Sequence, residues 1–248
     1  MNRPLRDPAI GSAAGWPLVL YFHHVHPAVQ HYTALAPDAF RRALEIVLSE
    51  VGPAVEPGRV GPSFVPPDGP SVLITFDDGY RDNLVTARSI LAEFDVRVLL
   101  FCVTGALSRA SGYTEEERAW LSPRHDFLTW AEAAELTAAG HVLSGHTLGH
   151  PRLIELSADE ARREVLGSLA EVAASTSRTP TTFAYPYGLV PDEDVVPKGV
   201  LGFGTVKSAP LPWTERPRNI RRTYLPADDS SAWRELAKGW RRQWYASR

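Results

Sequence analysis

The chain has 248 residues, of which 44% are hydrophobic, so it can bury a sizeable core, and we expect residues 1–248 to form a single α/β domain. Its formal net charge of −3, from 26 basic and 29 acidic residues, excludes the strongly basic surface typical of nucleic-acid-binding proteins. The single cysteine, Cys102, excludes an intramolecular disulfide, and no apolar stretch has the length of a membrane span.

The start of the chain bears on where the protein acts. The first seven residues are not followed by the apolar region that a secretory signal peptide requires. We therefore expect a cytoplasmic protein. If a leader has been trimmed from the sequence, the expected location is instead extracytoplasmic.

The first predicted strand, residues 18–25, is an apolar run that ends in imidazoles. Its two histidines, His23 and His24, are adjacent, and adjacent side chains on a strand point to opposite faces. Only one of them can therefore face a given cavity. The pair is also consistent with a surface or capping role.

A helix is predicted over residues 37–50, because proline occupies its first turn and apolar side chains recur on one face. Those side chains are Phe40, Leu44, Val47 and Leu48. The following stretch, residues 51–70, is rich in proline and glycine and has little periodicity. We interpret it as a surface connection.

The next strand ends in two carboxylates, Asp77 and Asp78, after the apolar run at residues 72–76. Burying one ionised carboxylate costs several kcal/mol unless it is paired or binds a metal, and two neighbours also repel each other. A divalent cation would relieve both costs. The alternative is an exposed Asp-Gly turn, which commonly terminates strands.

Strands and helices alternate through the rest of the chain, which predicts a mainly parallel sheet wrapped by helices. A helix is expected at residues 80–94, and two later helices begin with capping boxes, Thr129 with Glu132 and Ser157 with Glu160. Residues 108–124 form an insertion that could line a substrate rim. Further strands are predicted to end near Val103, Ser144, Tyr185 and Val206, with another at residues 220–224.

Two further histidines, His146 and His150, are four residues apart, a spacing that puts both on one face of a helical turn. Two neutral imidazoles and one carboxylate form a three-ligand site with open positions, the arrangement of catalytic zinc. A histidine pair alone at this spacing is more often structural or incidental than a metal site. The histidine pair indicates a metal site only in combination with the carboxylates Asp77 and Asp78.

The last third of the chain offers aromatic and basic candidates. Trp213, in a proline-flanked loop, is a candidate for lining a cleft, whereas the arginines at 216, 218, 221 and 222 are interpreted as solvated surface. Tryptophans at 233, 240 and 244 recur with Leu236 at near-helical spacing. Such a stripe favours a helix docked on the core over a platform for sugar rings.

Three segments in order resemble the motifs of the NodB-like polysaccharide deacetylases, carbohydrate esterase family 4. They are residues 75–79 (Thr-Phe-Asp-Asp-Gly), 146–150 (His-Thr-Leu-Gly-His) and 183–188 (Phe-Ala-Tyr-Pro-Tyr-Gly). The likeness extends from about residue 18 to 223. It implies a distorted (β/α) barrel with the site at the carboxyl ends of the strands.

The resemblance also implies roles for individual residues. Asp78, His146 and His150 would bind a divalent metal, most simply zinc, with cobalt or nickel as alternatives. Asp77 would take a proton from the metal-bound water, and both carboxylates can face one cavity only if the chain turns at Asp78 and the following glycine. The backbone N–H of Tyr187 would stabilise the oxyanion, and its side chain would contact substrate.

The sequence departs from the commonest family pattern at two points. No histidine follows His150, so the usual late general acid is missing, and Ala184 stands where an arginine often holds the base. The first strand is similar to that of the poly-N-acetylglucosamine deacetylase branch, in which the acid histidine lies there. His23 matches that position, and His24 is the alternative acid or a substrate contact.

These features predict a hydrolase that removes N-acetyl groups from an amino-sugar polysaccharide, oligosaccharide or glycoside. A second reading is an amidohydrolase that acts on a small intracellular N-acylated metabolite. A third is a catalytically silent carbohydrate-binding protein on the same fold, which Ala184 and the absent late histidine favour. What orients Asp77 is left open by the sequence.

Overall fold

The computed structural model describes residues 7–246, so most of the first seven residues, on which the expectation about a signal peptide rests, lie outside it. The strands are β1 (Leu18–Phe22), β2 (His24–Val25), β3 (Ala34–Leu35), β4 (Val72–Asp78), β5 (Leu99–Cys102), β6 (Val142–Gly145), β7 (Thr182–Ala184) and β8 (Leu201–Phe203). The helices are α1 (Pro37–Glu50), α2 (Arg88–Glu93), α3 (Thr104–Ala110), α4 (Glu115–Arg118), α5 (Trp130–Ala138), α6 (Ala158–Thr176) and α7 (Trp233–Tyr245).

Six strands form one parallel sheet in the order β1-β4-β5-β6-β7-β8. A single segment, residues 220–223, then contacts both of its edges. Ile220 pairs in parallel with Phe203 of β8, and Thr223 pairs in parallel with Leu20 of β1. The sheet therefore closes on itself, and the expected distorted (β/α) barrel is confirmed.

The two faces of the sheet have separate cores, as expected for a parallel sheet that is buried on both sides. Ile74 and Leu100 pack outward against the helices, whereas Leu73 and Phe101 fill the inside of the barrel. Because side chains alternate along a strand, the inward row that begins at Leu73 continues through Thr75 to Asp77. The first carboxylate of the pair thus lies at the mouth of the barrel.

The helices expected from capping and periodicity are present. Both predicted capping boxes form, at the starts of α5 and α6, and α1 spans its predicted residues. The prediction of one continuous helix over residues 80–94 is wrong at the start of that range. Tyr80 instead pairs with Phe127 in an isolated bridge, and a wide π-helical turn at Asn83–Ala87 precedes α2. Among residues 7–246, no helix combines the length and apolarity needed to cross a bilayer.

Helix α7 docks on the core, which confirms one of the two interpretations of the tryptophan stripe. Trp233, Trp240 and Trp244 are buried, and the helix packs against α1. The Nε1 atom of Trp233 donates a 2.7 Å hydrogen bond to the carbonyl oxygen of Pro226. These rings are inside the protein and form no sugar-binding platform.

We expect Trp233→Ala to lower the free energy of unfolding by about 3–5 kcal/mol, because it removes a fully buried aromatic side chain and leaves a cavity. Urea titration followed by circular dichroism measures this change. Lys238→Ala on the same helix is the control, since that side chain is 42% exposed. Equal effects of the two substitutions would contradict the docking of α7.

Candidate active site

Both carboxylates at the end of β4 face one cavity because the chain turns between them. Asp78 has a φ of 72° and Gly79 a φ of 84°, so two consecutive residues are in the left-handed region. A Cβ at position 79 would also lie 3.0 Å from Leu107 and 3.1 Å from the sulfur of Cys102. The turn that the two carboxylates require is therefore present, and it needs glycine at its second residue.

The histidine pair lies on a loop after β6 rather than on a helical turn. Thr147 and His150 both have positive φ, 70° and 61°, which no regular helix contains. The loop is held by the Thr147 hydroxyl, which accepts a 2.9 Å bond from the His150 N–H. It is also held by Glu164 of α6, which accepts two backbone N–H bonds of 2.9 Å. Local side-chain bonding, not helical geometry, brings the two imidazoles together.

Asp78, His146 and His150 form the one cluster with metal-ligand character found among the described residues, with donor atoms within 4.8 Å of one another. The Asp78 Oδ1 atom lies 3.4 Å from the Nε2 of each histidine, and it is buried without a hydrogen-bond partner. Such an orphaned oxygen beside two ring nitrogens fits a divalent cation, and zinc prefers this donor set.

The surroundings of the two imidazoles determine which of their nitrogens can bind a metal. His146 donates from Nδ1 to the carbonyl oxygen of Ala184 over 2.8 Å, which leaves the lone pair of Nε2 for a cation. Burial and the nearby His146 lower the pKa of His150 to about 4, so its ring is neutral at physiological pH. Burial lowers the pKa of His146, but the neighbouring Asp78 and Asp77 outweigh it and hold that pKa above its ordinary value, so a cation at its Nε2 would displace a proton.

The strand predicted over residues 18–25 is interrupted at His23, which lies between β1 and β2, and the side chains of His23 and His24 point in different directions. The Nε2 of His23 lies 3.9 Å from Asp78 Oδ2, and its Nδ1 is 2.7 Å from the Thr33 hydroxyl. His24 is turned into the protein, where its Nδ1 lies 2.7 Å from Asp82. The geometry favours His23 as the imidazole that faces the metal cluster.

Asp77 is held by a buried arginine that the sequence interpretation missed. The Arg222 guanidinium donates bidentately, with Nη1 2.6 Å from Oδ1 and Nη2 2.8 Å from Oδ2. Burial by itself raises the pKa of Asp77, but the positive charge of Arg222 outweighs it and holds that pKa below its ordinary value. Asp77 is therefore ionised and fixed in direction.

The interpretation of the late arginines as solvated surface is wrong for two of them. Arg221 is 2% exposed and Arg222 is 0% exposed, because the segment that closes the barrel carries both. Arg222 points inward, between the rings of Tyr21 and Phe101, which lie 5.0 Å and 5.2 Å from its guanidinium carbon. The sequence did contain one signal for this buried arginine, namely the position of Arg222 within the predicted strand at residues 220–224.

The third motif forms a tight turn at Pro186–Gly188, whose middle residue, Tyr187, is left-handed and not helical, with a φ of 60°. The N–H of Tyr187 belongs to the peptide bond between Pro186 and Tyr187, at the start of this turn. Its ring lies 4.6 Å from that of His150, and its carbonyl oxygen accepts a 2.7 Å bond from Lys207. The side chain is 47% exposed at the rim of the site.

A cavity of about 390 Å³ contains these groups, including Asp77, Asp78, His23, Tyr187 and the two loop histidines.

The prediction that Trp213 lines the substrate cleft is wrong, because Trp213 does not line this cavity. It is 3% exposed and stacks on Trp16 and Phe64. That aromatic cluster borders a separate hollow with residues 198–201, at the amino end of β8. The proline-flanked loop closes the far end of the barrel.

We expect Gly188→Ala to lower both activity and stability, because its Cβ would lie 2.1 Å from the Thr205 hydroxyl at a φ of +61°. Gly199→Ala is the matched control, since it has a similar φ of +87° and no atom within 4 Å of the added Cβ. Acetate release and thermal unfolding of both variants measure the difference. If the two variants behave alike, backbone strain and not contact with Thr205 constrains the third motif.

Comparison with known proteins agrees with this architecture. A family model described as polysaccharide deacetylase matches residues 65–197, more than half of the chain. A curated relative is YxkH of Bacillus subtilis (strain 168), whose name places it among polysaccharide deacetylases. It is 25% identical over 127 residues, which are 51% of this chain and 40% of that protein. The chain thus spans about two fifths of the length of that relative.

Solved structures share the fold across most of the chain. The Streptococcus pyogenes deacetylase PplD, in complex with acetate, has a TM-score of 0.69 and 21% identity over 88% of this chain and 94% of its own. IcaB from Ammonifex degensii has a TM-score of 0.69 and 18% identity over 93% of this chain and 100% of its own. With the family model covering the carboxylate pair, the loop histidines and the third motif, the chain belongs to the polysaccharide deacetylase family.

Proposed function

We propose that the protein is a metal-dependent hydrolase that removes N-acetyl groups from an amino-sugar polysaccharide, oligosaccharide or glycoside. The observation that carries the proposal is a convergence of groups in one cavity. Three metal-ligand side chains, a fixed carboxylate at Asp77 and an imidazole at His23 all line it. Hydrolysis of an amide needs a base, an acid and stabilisation of negative charge, and each has a candidate here.

Asp77 is the proposed general base. Asp78, His146 and His150 would hold a divalent cation, which would supply Lewis acidity: when bound, it would lower the pKa of water and polarise a carbonyl oxygen. Asp77 then accepts the proton of the attacking water. Arg222 donates a hydrogen bond to each carboxylate oxygen of Asp77. The carboxylate therefore keeps one orientation during the reaction.

His23 is the proposed general acid, which protonates the nitrogen of the leaving amine. Its Nε2 faces Asp78, while the Thr33 hydroxyl holds its Nδ1. Burial lowers the pKa of His23, whereas the charges of Asp78 and Asp77 oppose that change. The ring is anchored at one nitrogen by Thr33, and its other nitrogen faces the proposed metal ligands.

Tyr187 is proposed to contribute a backbone N–H to the developing oxyanion. The positive φ of Tyr187 sets the direction of this N–H within the turn, and the bond from Lys207 to the Tyr187 carbonyl oxygen holds the peptide that follows it. A donor that is already oriented does not have to reorganise when charge develops. Its half-exposed ring stands where it can also contact the sugar.

The two departures from the family pattern favoured a silent binding protein, and both have a structural counterpart. Arg222 bonds Asp77 although position 184 holds alanine. His23 faces the metal cluster although no late histidine exists. A held base and a candidate acid are thus both present, which supports a catalytic role over sugar binding without catalysis.

Acetate release tests the proposal directly. Purified protein loaded with zinc is expected to release acetate from N-acetylglucosamine oligomers or small N-acetylated glycosides, and a chelator is expected to abolish that release. Comparing monomers with oligomers also separates a glycan substrate from a small metabolite. If the loaded protein releases no acyl group from any N-acylated sugar or small amide, the proposal fails.

A further inference from the structure

The hydroxyl of Thr33 lies between two imidazoles. Its Oγ1 atom is 2.7 Å from the Nδ1 of His23 and 2.8 Å from the Nδ1 of His31, and Thr33 is 1% exposed. A hydroxyl has one proton to donate and lone pairs with which to accept, so Thr33 can donate to one ring while it accepts from the other. The three side chains therefore form a continuous hydrogen-bonded chain from His31 to His23.

Backbone bonds fix this chain in place. The His23 N–H donates a 3.1 Å bond to the carbonyl oxygen of Thr33, so Thr33 is bound to His23 through both its backbone and its side chain. The Ala34 N–H donates a 3.0 Å bond to the carbonyl oxygen of His31, and the centre of the Tyr32 ring lies 4.5 Å from that of His31. The segment between β2 and β3 thus presents the hydroxyl and the second imidazole to His23 in one arrangement.

The direction of the hydrogen bonds follows from what each end of the chain meets. The Nε2 of His23 lies 3.9 Å from the Asp78 Oδ2, and an anionic oxygen favours a proton on the ring nitrogen that faces it. The Nδ1 of His23 is then an acceptor, so the Thr33 hydroxyl donates to it and His31 donates to Thr33. At the other end, His31 is exposed and lines the cavity, so its ring can exchange protons with water.

From this geometry we propose that Thr33 and His31 are positioning residues for His23, and that they pass it a proton from water while it protonates the leaving amine. As the Nε2 of His23 gives its proton to the amine nitrogen, its Nδ1 takes the proton of the Thr33 hydroxyl. The hydroxyl oxygen takes the proton from the Nδ1 of His31, whose Nε2 takes one from water. Each of the three groups thus loses one proton and gains one.

The rest of the proton balance closes through the base. The C–N bond breaks as the N–H bond of the amine forms, and the proton that Asp77 accepts from the attacking water returns to solvent. A hydroxyl suits the relay because it carries its own proton, whereas a carboxylate at the same place would only accept one. The inference rests on the proposed deacetylase function, in which His23 is the acid.

Two acetyl substrates that differ in their leaving group test the relay. An N-acetylglucosamine oligomer expels an amine, which must be protonated to leave, whereas para-nitrophenyl acetate expels a phenolate that leaves without a proton. Both release acetate, so one assay follows both reactions on zinc-loaded protein. A loss confined to the amide reports protonation of the leaving group, whereas a structural loss lowers kcat on both substrates.

Variants of the chain identify the residues responsible. Thr33→Val, which keeps the shape and removes the hydroxyl, and His31→Phe are each expected to lower the ratio of amide kcat to ester kcat by about tenfold. Thr33→Ser restores the hydroxyl and is expected to keep the ratio. The matched control is Thr176→Val on α6, which removes a hydroxyl that bonds the Val172 carbonyl oxygen outside the cavity lining.

The outcomes separate this inference from the proposed function. An unchanged ratio in either Thr33→Val or His31→Phe, or an equal loss in Thr33→Ser, overturns the relay while acetate release by the unaltered protein still supports the deacetylase. If the unaltered protein does not hydrolyse the amide, the proposed function fails, and heteronuclear NMR of isotope-labelled histidine rings in zinc-loaded protein decides the relay alone. Protons on the Nε2 of His23 and the Nδ1 of His31 support the relay, and any other pair of tautomers overturns it.

Discussion

Asp77→Asn is expected to lower kcat by about two to four orders of magnitude, because it removes the carboxylate that accepts the proton of water. The amide keeps the shape of the side chain and one acceptor for Arg222, so the barrel should still close. Stopped or continuous assays of acetate release measure the loss. Thermal unfolding in parallel shows that the variant is folded.

Metal content distinguishes the base from its neighbour. Asp77→Asn should retain one equivalent of zinc after dialysis, whereas Asp78→Asn should lose it, since Asp78 Oδ1 lies 3.4 Å from both histidine nitrogens. Adjacent residues of the same type therefore give opposite metal readouts. Loss of zinc from both variants would remove the division of roles between the two carboxylates.

The mainly parallel sheet wrapped by helices was predictable because strand and helix signals alternate along the chain, whereas the distorted barrel was implied by the resemblance to the family. The capping boxes at Thr129 and Ser157 form, and the apolar stripe that includes Trp233 docks as a helix. Parallel strands that end in polar residues place those residues at one edge of a sheet, which is where the cavity lies. Local chemistry sufficed for these elements.

The parts that the sequence did not predict depend on contacts between distant segments. Arg222 bonds Asp77 across 145 positions of sequence, and only closure of the barrel brings the two together. Trp213 packs inside the far end of the barrel because Trp16 and Phe64 meet it there. The loop histidines share a face through left-handed residues, which a helical spacing rule does not anticipate.

Arg222→Met is expected to destabilise the protein by about 3–5 kcal/mol near pH 7, because it leaves the buried Asp77 carboxylate without its partner. Arg222 holds the pKa of Asp77 below its ordinary value, so the stabilisation is present above the unfolded-state pKa of about 4 and is lost as pH falls through the folded-state value. Urea titrations at several pH values measure this dependence. In the variant the pKa of Asp77 rises, and the acid limb of the activity profile is expected to move to higher pH.

The neighbouring residue provides the matched control. Arg221 is equally buried, but its guanidinium donates to backbone carbonyl oxygens, among them that of Ser208 at 2.7 Å, and not to Asp77. Arg221→Met should therefore lower stability while the pH profile of the folded enzyme stays in place.

The double variant Asp77→Asn, Arg222→Met should cost less stability than the sum of its single substitutions, because it removes both charges together. Additive costs, or an equal shift of the acid limb in Arg221→Met, would mean that Arg222 supports the barrel and does not hold the base.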